Sequence, residues 1–208
     1  MPSKFLELTV TDSVQKAQEH YFGRSQKIAP QPEHEPLTEE EIQFIQSRDS
    51  FYVATVTESG WPYIQHRGGA AGFLRALSPT QLGFADYTGN RQMLSTGNLD
   101  ANDRVALFLM DYARRDRLKI LGHAHVVDAR QSPELVARLA EPETRSIVER
   151  LFIIDVVAFA WNCPKYISPR YTAGEVEQAI EPLRKRIAEL ESQLEQTERK
   201  FHGQWKTS

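Results

Sequence analysis

Arg67 and Arg91 offer the clearest chemistry in this chain. A guanidinium presents a planar fork of N–H donors that matches the oxygens of a phosphate or carboxylate. Arg67 ends an extended-looking segment, Pro62 to Arg67, immediately before Gly68-Gly69. Arg91 stands in the turn Asp86-Tyr87-Thr88-Gly89-Asn90-Arg91-Gln92. That turn follows a short strand, Leu82 to Ala85, and opens onto a helix expected from Gln92 to Thr96. A helix start offers unpaired N–H groups and the positive end of the helix dipole, which suits an anion. Gly68 and Gly69 would let a ligand lie against bare backbone. Tyr87 and Trp61 could supply an aromatic wall. The same residues also read as a solvated surface turn, and their spacing leaves both readings open.

Other reactive types are scattered. His66 could donate a proton beside a ligand at Arg67, or it could be structural. His123 and His125 fall on one face of a strand, but no third ligand accompanies them, so no metal site is expected. Arg114, Arg115, Arg117 and Lys119 form a basic run that reads as a hairpin tip, or as an attractor for an anionic substrate. Cys163 has no obvious base beside it and reads as inert.

These residues need elements to position them. The 208 residues are 40% apolar with net charge −3, which suits one domain with a core plus appendages. That balance argues against a dedicated nucleic-acid binder. No run approaches the roughly 20 apolar residues of a membrane span. The first residues lack a leader's apolar stretch, and one cysteine permits no internal disulfide. The expected compartment is the cytoplasm.

Along the chain, Asp12 or Ser13 opens a helix to about Phe22, with Val14, Ala17 and Tyr21 on one face. A Pro-rich arm follows. Thr38 and Glu41 form a capping box for a helix ending near Ser47. Strands are expected at Phe51–Thr57, Tyr63–Arg67, Phe73–Ala76, Gln81–Ala85, Val105–Asp111, Leu118–Ala129 and Leu151–Phe159. Ser132 and Pro133 begin a helix between the last two. Periodicity alone implies antiparallel β structure with a few helices.

The segments FYVATVTESGWPYIQHRGG, LGFADYTGNRQMLSTGNL, RVALFLMDY and RLKILGHAHVV, in this order, resemble the pyridoxamine 5′-phosphate oxidase-like FMN-binding split-barrel family. The resemblance spans about Thr38 to Tyr171 and favours a branch carrying a C-terminal helix. It implies a mainly β (α+β) fold: an antiparallel split β-barrel with short helices and a long C-terminal helix. Three parts follow: residues 1–37 as a helix and wrapping arm, 38–172 as the FMN-binding barrel, and 173–208 as the C-terminal helix.

The resemblance also implies a site. Arg67 matches the family's phosphate arginine on the second barrel strand. Tyr87, Thr88, Asn90, Arg91 and Gln92 occupy its second phosphate cluster, where relatives often have serine, arginine and lysine at the last three places. Asn90 and Gln92 leave one cation where many relatives have two. Gln65, His66, Arg67 and Gly68 match the segment along the flavin edge. Ser95, with Thr96 and Asn98, lies where ribityl oxygens or the helix end could be contacted. Trp161 and Arg170 fall in the region that reaches toward a partner's flavin. The Arg-Leu-x-Pro element that holds substrate in true pyridoxamine phosphate oxidases is missing, so vitamin B6 oxidation is not expected.

The implied protein is a homodimer with FMN at the subunit interface and a small-molecule substrate, binding neither nucleic acid nor membrane. It would move hydride or electrons between a reduced nicotinamide and a small acceptor, with no catalytic side chain identified. The alternative is a flavin carrier or sensor without turnover. A deazaflavin uses the same barrel, and haem lacks an obvious axial histidine here.

The tail is of another kind. From Ala173 to about Phe201, Val176, Ile180, Leu183, Ile187, Leu190 and Leu194 repeat at 4-3 spacing, continued by Thr197 and Phe201. This is an a/d seam, with Pro182 early in it. A two-helix coiled coil across a dimer is expected, and folding back onto the barrel is the alternative.

Overall fold

The computed structural model describes residues 3–89, 91–161 and 164–204, with side chains to residue 197. Residues 1–167 form one compact unit and residues 168–208 a second. In the first, seven antiparallel strands form one sheet in the order β2-β1-β5-β6-β7-β4-β3. They are β1 (Ser50–Val56), β2 (Pro62–Gly68), β3 (Arg75–Ser78), β4 (Gln81–Tyr87), β5 (Arg104–Asp111), β6 (Asp116–Asp128) and β7 (Val148–Trp161). The fold is the mainly β, antiparallel split barrel with short helices and one long C-terminal helix.

Strand composition explains the pairing. β5 alternates buried and partly exposed residues along its length, as expected of a strand with one face on the core. Phe51, Val53, Phe84, Leu107, Leu109, Leu118, Ile120 and Ile154 meet in the main core. A smaller core lies on the opposite face of β4 and β7, where Ala85, Leu151 and Ile153 pack on Val136 and Leu139 of helix α5 (Pro133–Leu139, numbered in chain order). β6 carries a bulge between Leu121 and Gly122 in its pairing with β7. A Cβ at Gly122 would meet the Asp155 carbonyl oxygen at 2.5 Å, so only glycine allows that approach.

Several boundaries differ from expectation. Helix α1 (Lys4–Thr9), capped by Ser3, was not foreseen; it buries Phe5. Helix α2 (Asp12–Phe22) forms where expected, but its N-cap is Thr11 rather than Asp12 or Ser13; it buries no residue, and Tyr21 is 75% exposed. The third strand starts at Arg75 rather than Phe73, because Phe73 turns inward and stacks on Phe51 with centroids 5.5 Å apart. A Cβ at Gly69 would sit 2.8 Å from the Phe73 ring, so this glycine accommodates an internal ring and not a ligand. The helix expected at Gln92 instead runs from Leu94 to Ala101 as α4.

The arm before the barrel is tied down at its end. Glu35 N–H donates to the Val157 carbonyl and Leu37 N–H to that of Pro79. The capping box of Thr38 and Glu41 starts helix α3 (Glu39–Gln46). Glu41 is buried. It accepts the Thr38 backbone N–H at 2.9 Å, the Thr38 hydroxyl at 2.5 Å and the Trp161 indole N–H at 2.7 Å. Burial by itself raises this carboxyl, but the bonds from Thr38 and Trp161 outweigh it and hold it below its ordinary value.

A depressed folded-state pKa contributes stability above the unfolded value, lost as the pH falls through the folded value. Glu41→Gln should therefore cost on the order of 1–2 kcal/mol at neutral pH. The gap from the parent chain should close as the pH drops below the ordinary glutamate range of about 4.3. Urea denaturation at several pH values checks this, and a gap independent of pH would reject it.

Candidate functional site

Arg67, Gln65 and Tyr63 alternate with exposed residues along β2, so all three point to the inner face. Asp86 near the end of β4 sits directly across from Arg150 of β7. The sheet order separates β2 from β4 by four strands, yet the curl of the sheet brings their inner faces together. There Arg67 Nη1 donates to Asp86 Oδ1 at 2.5 Å. Arg150 donates to Asp86 Oδ2 through Nε at 3.0 Å and Nη2 at 2.7 Å. One carboxylate thus serves two guanidinium groups, and all three side chains are less than one-fifth exposed. The Arg67 guanidinium also lies 5.0 Å from the Phe152 ring centroid and 5.6 Å from that of Phe84, a cation–π contact.

Beside this cluster is a cavity of about 170 Å³. That is below the roughly 300–1,000 Å³ of a pocket enclosing a whole small ligand, so it suits one polar end of a larger molecule. Arg67, Arg91 and Arg150 line it against a single carboxylate, Asp86. The Nε of Arg67 is buried with no hydrogen-bond partner. Leaving such a donor unpaired costs about 1–3 kcal/mol, so it is a group that an incoming acceptor would satisfy.

The wall opposite is the start of α4. Arg91 and Met93 both take left-handed backbone, at φ 59° and 57°. Each such residue without glycine's freedom costs roughly 1–2 kcal/mol, and strain of this kind concentrates at ligand sites. Met93 caps α4 without a side-chain hydrogen bond. Leu94, Ser95 and Thr96, the first turn of α4, border the cavity. The buried Ser95 hydroxyl donates to Gln65 Oε1 at 2.7 Å, which leaves the Gln65 amide N–H groups as donors.

The cavity brings together Gln65, Arg67, Tyr87, Arg91, Gln92 and Ser95 from the expected site. The other expected residues stand elsewhere. His66 and Gly68 belong to the exposed side of β2, opposite Arg67; His66 makes an edge contact with Tyr52 at 5.5 Å. Thr88 donates to Glu149 at 3.0 Å. Trp161 packs edge-on against Phe44 and binds Glu41. Arg170 falls in the unit that begins at Ser168. Asn90 and Cys163 lie outside the described residues. Arg150 and Asp86 were not foreseen. Arg150, from β7, supplies a cation that the turn itself does not. Its only signal in the sequence was a charge just ahead of a strand expected to begin at Leu151.

A family profile described as pyridoxamine 5′-phosphate oxidase matches residues 37–155, more than half of the chain. The chain belongs to this family. No curated protein matches it by sequence. Several solved structures are similar to it at low identity. A pyridoxamine 5′-phosphate oxidase-like protein from Lactobacillus delbrueckii is 20% identical with TM-score 0.47, covering 60% of this chain and 93% of its own. HutZ, the haem storage protein of Vibrio cholerae, is 15% identical with TM-score 0.43, covering 61% and 94%. An FMN-binding protein from Syntrophomonas wolfei is 10% identical with TM-score 0.41, covering 60% and 87%.

Within this family member, Asp86 competes with any anion for Arg67 and Arg150. Asp86→Asn should lower stability in chloride buffer by about 1.5–3 kcal/mol, the range for hydrogen bonds to charged groups. Added inorganic phosphate should restore more stability in the variant than it adds to the parent. Urea unfolding with and without phosphate reads this, and an equal response in both chains would show that anions do not reach these guanidinium groups.

Proposed function

We propose that the protein binds FMN and acts as an FMN-dependent oxidoreductase, passing hydride or electrons from a reduced nicotinamide to a small acceptor. The observation that carries the reading is the meeting of Arg67, Arg91 and Arg150 at the uncapped start of α4, with the Arg67 Nε buried and unpaired. Three guanidinium groups stand against two carboxylates, Asp86 and the Glu149 that pairs with Arg150 at 3.0 Å, and the positive charge left over, beside a helix start, suits a phosphate monoester. The residues present fit that group. Arg91 forms no ion pair among the described residues, so it is available to it.

In this reading Arg67 and Arg150 are held by Asp86 and meet the phosphate from the strand side. Arg91 and the first N–H groups of α4 meet it from the helix side. Gln65 donates its amide N–H groups to the polar chain beyond the phosphate, the Ser95 oxygen, whose hydrogen goes to Gln65, is left as an acceptor for it, and the Tyr63 and Tyr87 rings flank it. Tyr87 is steadied by its hydroxyl, 3.2 Å from that of Thr144. FMN, when bound, supplies the redox chemistry, and the protein supplies placement and charge. His66 lies across the strand from this cavity, so it takes no part in holding the phosphate; it and Gly68 would meet a ligand only on the outer face. Asn90, Thr88, Trp161 and Arg170 remain family-based assignments.

The proposed assembly is a homodimer with FMN at the subunit interface. The homodimer is supported by an apolar depression of about 480 Å³ on the outer face of β1, β2, β5 and β6, lined by Phe5, Tyr52, Ile64, Phe108 and Tyr112; FMN at its interface is what the family resemblance implies. Ile64 there is 64% exposed, and exposed apolar patches mark contact surfaces. No helix among the described residues is long and apolar enough to cross a membrane. The cytoplasm is the compartment we propose, resting on the single cysteine.

Purified protein should carry, or take up, FMN with a flavin absorption spectrum and quenched fluorescence. Arg91→Ala and Arg150→Ala should each weaken FMN binding by about 1.5–3 kcal/mol in a fluorescence titration. Riboflavin, which lacks the phosphate, should bind both variants as it binds the parent. Unchanged FMN affinity in both variants would remove the phosphate assignment. Oxidation of reduced nicotinamide by the FMN-loaded protein separates the enzyme from the carrier.

A further inference from the structure

Helix α6 (Ala173–Gln204) is 32 residues long and carries an apolar stripe in the open. Leu183 is 63% exposed, Ile187 54%, Leu190 47% and Leu194 61%. Surface helices gain most of their stability from a packed apolar face, and a stripe of this size on show calls for a partner. The residue types and charges say which one. At 4-3 spacing, Ile180, Ile187 and Leu194 take position a of a heptad, and Val176, Leu183, Leu190 and Thr197 take position d. Two successive heptads thus pair isoleucine at a with leucine at d, the combination that favours two parallel strands.

The flanks agree. Arg186 falls at g and Glu191 at the following e, the two positions that face each other across a parallel, in-register pair. Within one chain Arg186 reaches Glu189 at 2.9 Å, three residues on, whereas residues five apart lie on different sides of a helix. Two further ion pairs, Arg184 with Glu177 and Lys185 with Glu181, run along the helix and leave the seam apolar. Pro182 falls at position c, off the seam. The carbonyl it leaves unbonded belongs to Gln178 at position f, on the solvent side, so any bend is taken up away from the contact.

We infer that α6 pairs with α6 of a second copy of this chain as a parallel, in-register two-stranded coiled coil, with Arg186 facing the partner's Glu191. This does not rest on the flavin reading. It concerns α6 alone and holds whether or not the barrels also associate.

The test uses the full chain in a Cys163→Ser background, so that an introduced thiol is the only one. In a parallel, in-register pair, position 190 faces its own counterpart, and position 192 faces solvent. Leu190→Cys should oxidise to a covalent dimer faster than Ser192→Cys by at least about tenfold, because the pair holds the thiols at high effective concentration. Arg186→Glu should slow that cross-linking by setting two glutamates face to face, and adding Glu191→Arg should restore it. Equal rates at 190 and 192 would overturn the proposal. So would preferential cross-linking of Ile187→Cys with Leu190→Cys in a mixture, or rescue of Arg184→Glu rather than Arg186→Glu by Glu191→Arg; both mark antiparallel pairing.

Discussion

The Asp86 carboxylate, shared between Arg67 and Arg150, is the contact on which both the barrel and its site depend. It joins strands that the sheet order sets far apart. Charges this far from water are costly unless every one is paired and hydrogen-bonded. Here the carboxylate has two forks of donors, and the Arg67 plane rests on Phe84 and Phe152. The pairing therefore closes the inner seam of the barrel at the point where the cavity opens. An anion entering the cavity meets guanidinium groups already aimed and desolvated, so little ordering remains to oppose binding. The cost is competition, because Asp86 occupies donors that a phosphate would use.

The backbone around this cluster is arranged to the same end. β4 slips register at Asp86/Tyr87, and such irregularities re-aim side chains at the end of a strand. The chain then takes left-handed turns at Arg91 and Met93 before α4 begins. A conventional cap would have satisfied the first N–H groups of α4 internally. Its absence at Met93 leaves them directed at the cavity. Buried polar pairs behind the site, Asn98 to Thr55 at 2.8 Å and Ser95 to Gln65, hold α4 against β1 and β2. The strained turn thus leads into a helix that is bonded to both strands.

The two units obey different rules. The barrel buries its apolar residues by folding on itself, with both faces of β4 and β7 covered. The C-terminal helix has one apolar face and leaves it exposed. Its order along the chain is a repeat rather than a set of long-range contacts, so its partner is written in the heptad and the flanking charges. That is why the heptad could be read directly, while the barrel's own pairings could not.

Local physics was legible in the chain. The Thr38/Glu41 box, Pro133 at a helix start, the hairpin at Glu58-Ser59-Gly60 and every strand of the sheet follow from capping, turn chemistry and side-chain type. Arg67 and Arg91 could be singled out for the same reason: each stands beside glycines at the edge of an element. The family pattern added their common purpose. Arg150 and Asp86 could not be found that way, because their partnership is set by the register of two strands separated by 64 positions. The parity of β2 put His66 outside and Arg67 inside, a difference of one residue that is settled only once a face is buried. Trp161 went to Glu41 because a buried carboxylate at a helix cap needs a donor, and the last strand delivers one there. Side-chain type and spacing thus decided which elements form and which groups can bind an anion. The curl and register of the sheet decided which of those groups meet, because distance in space is a property of the closed barrel and not of the chain.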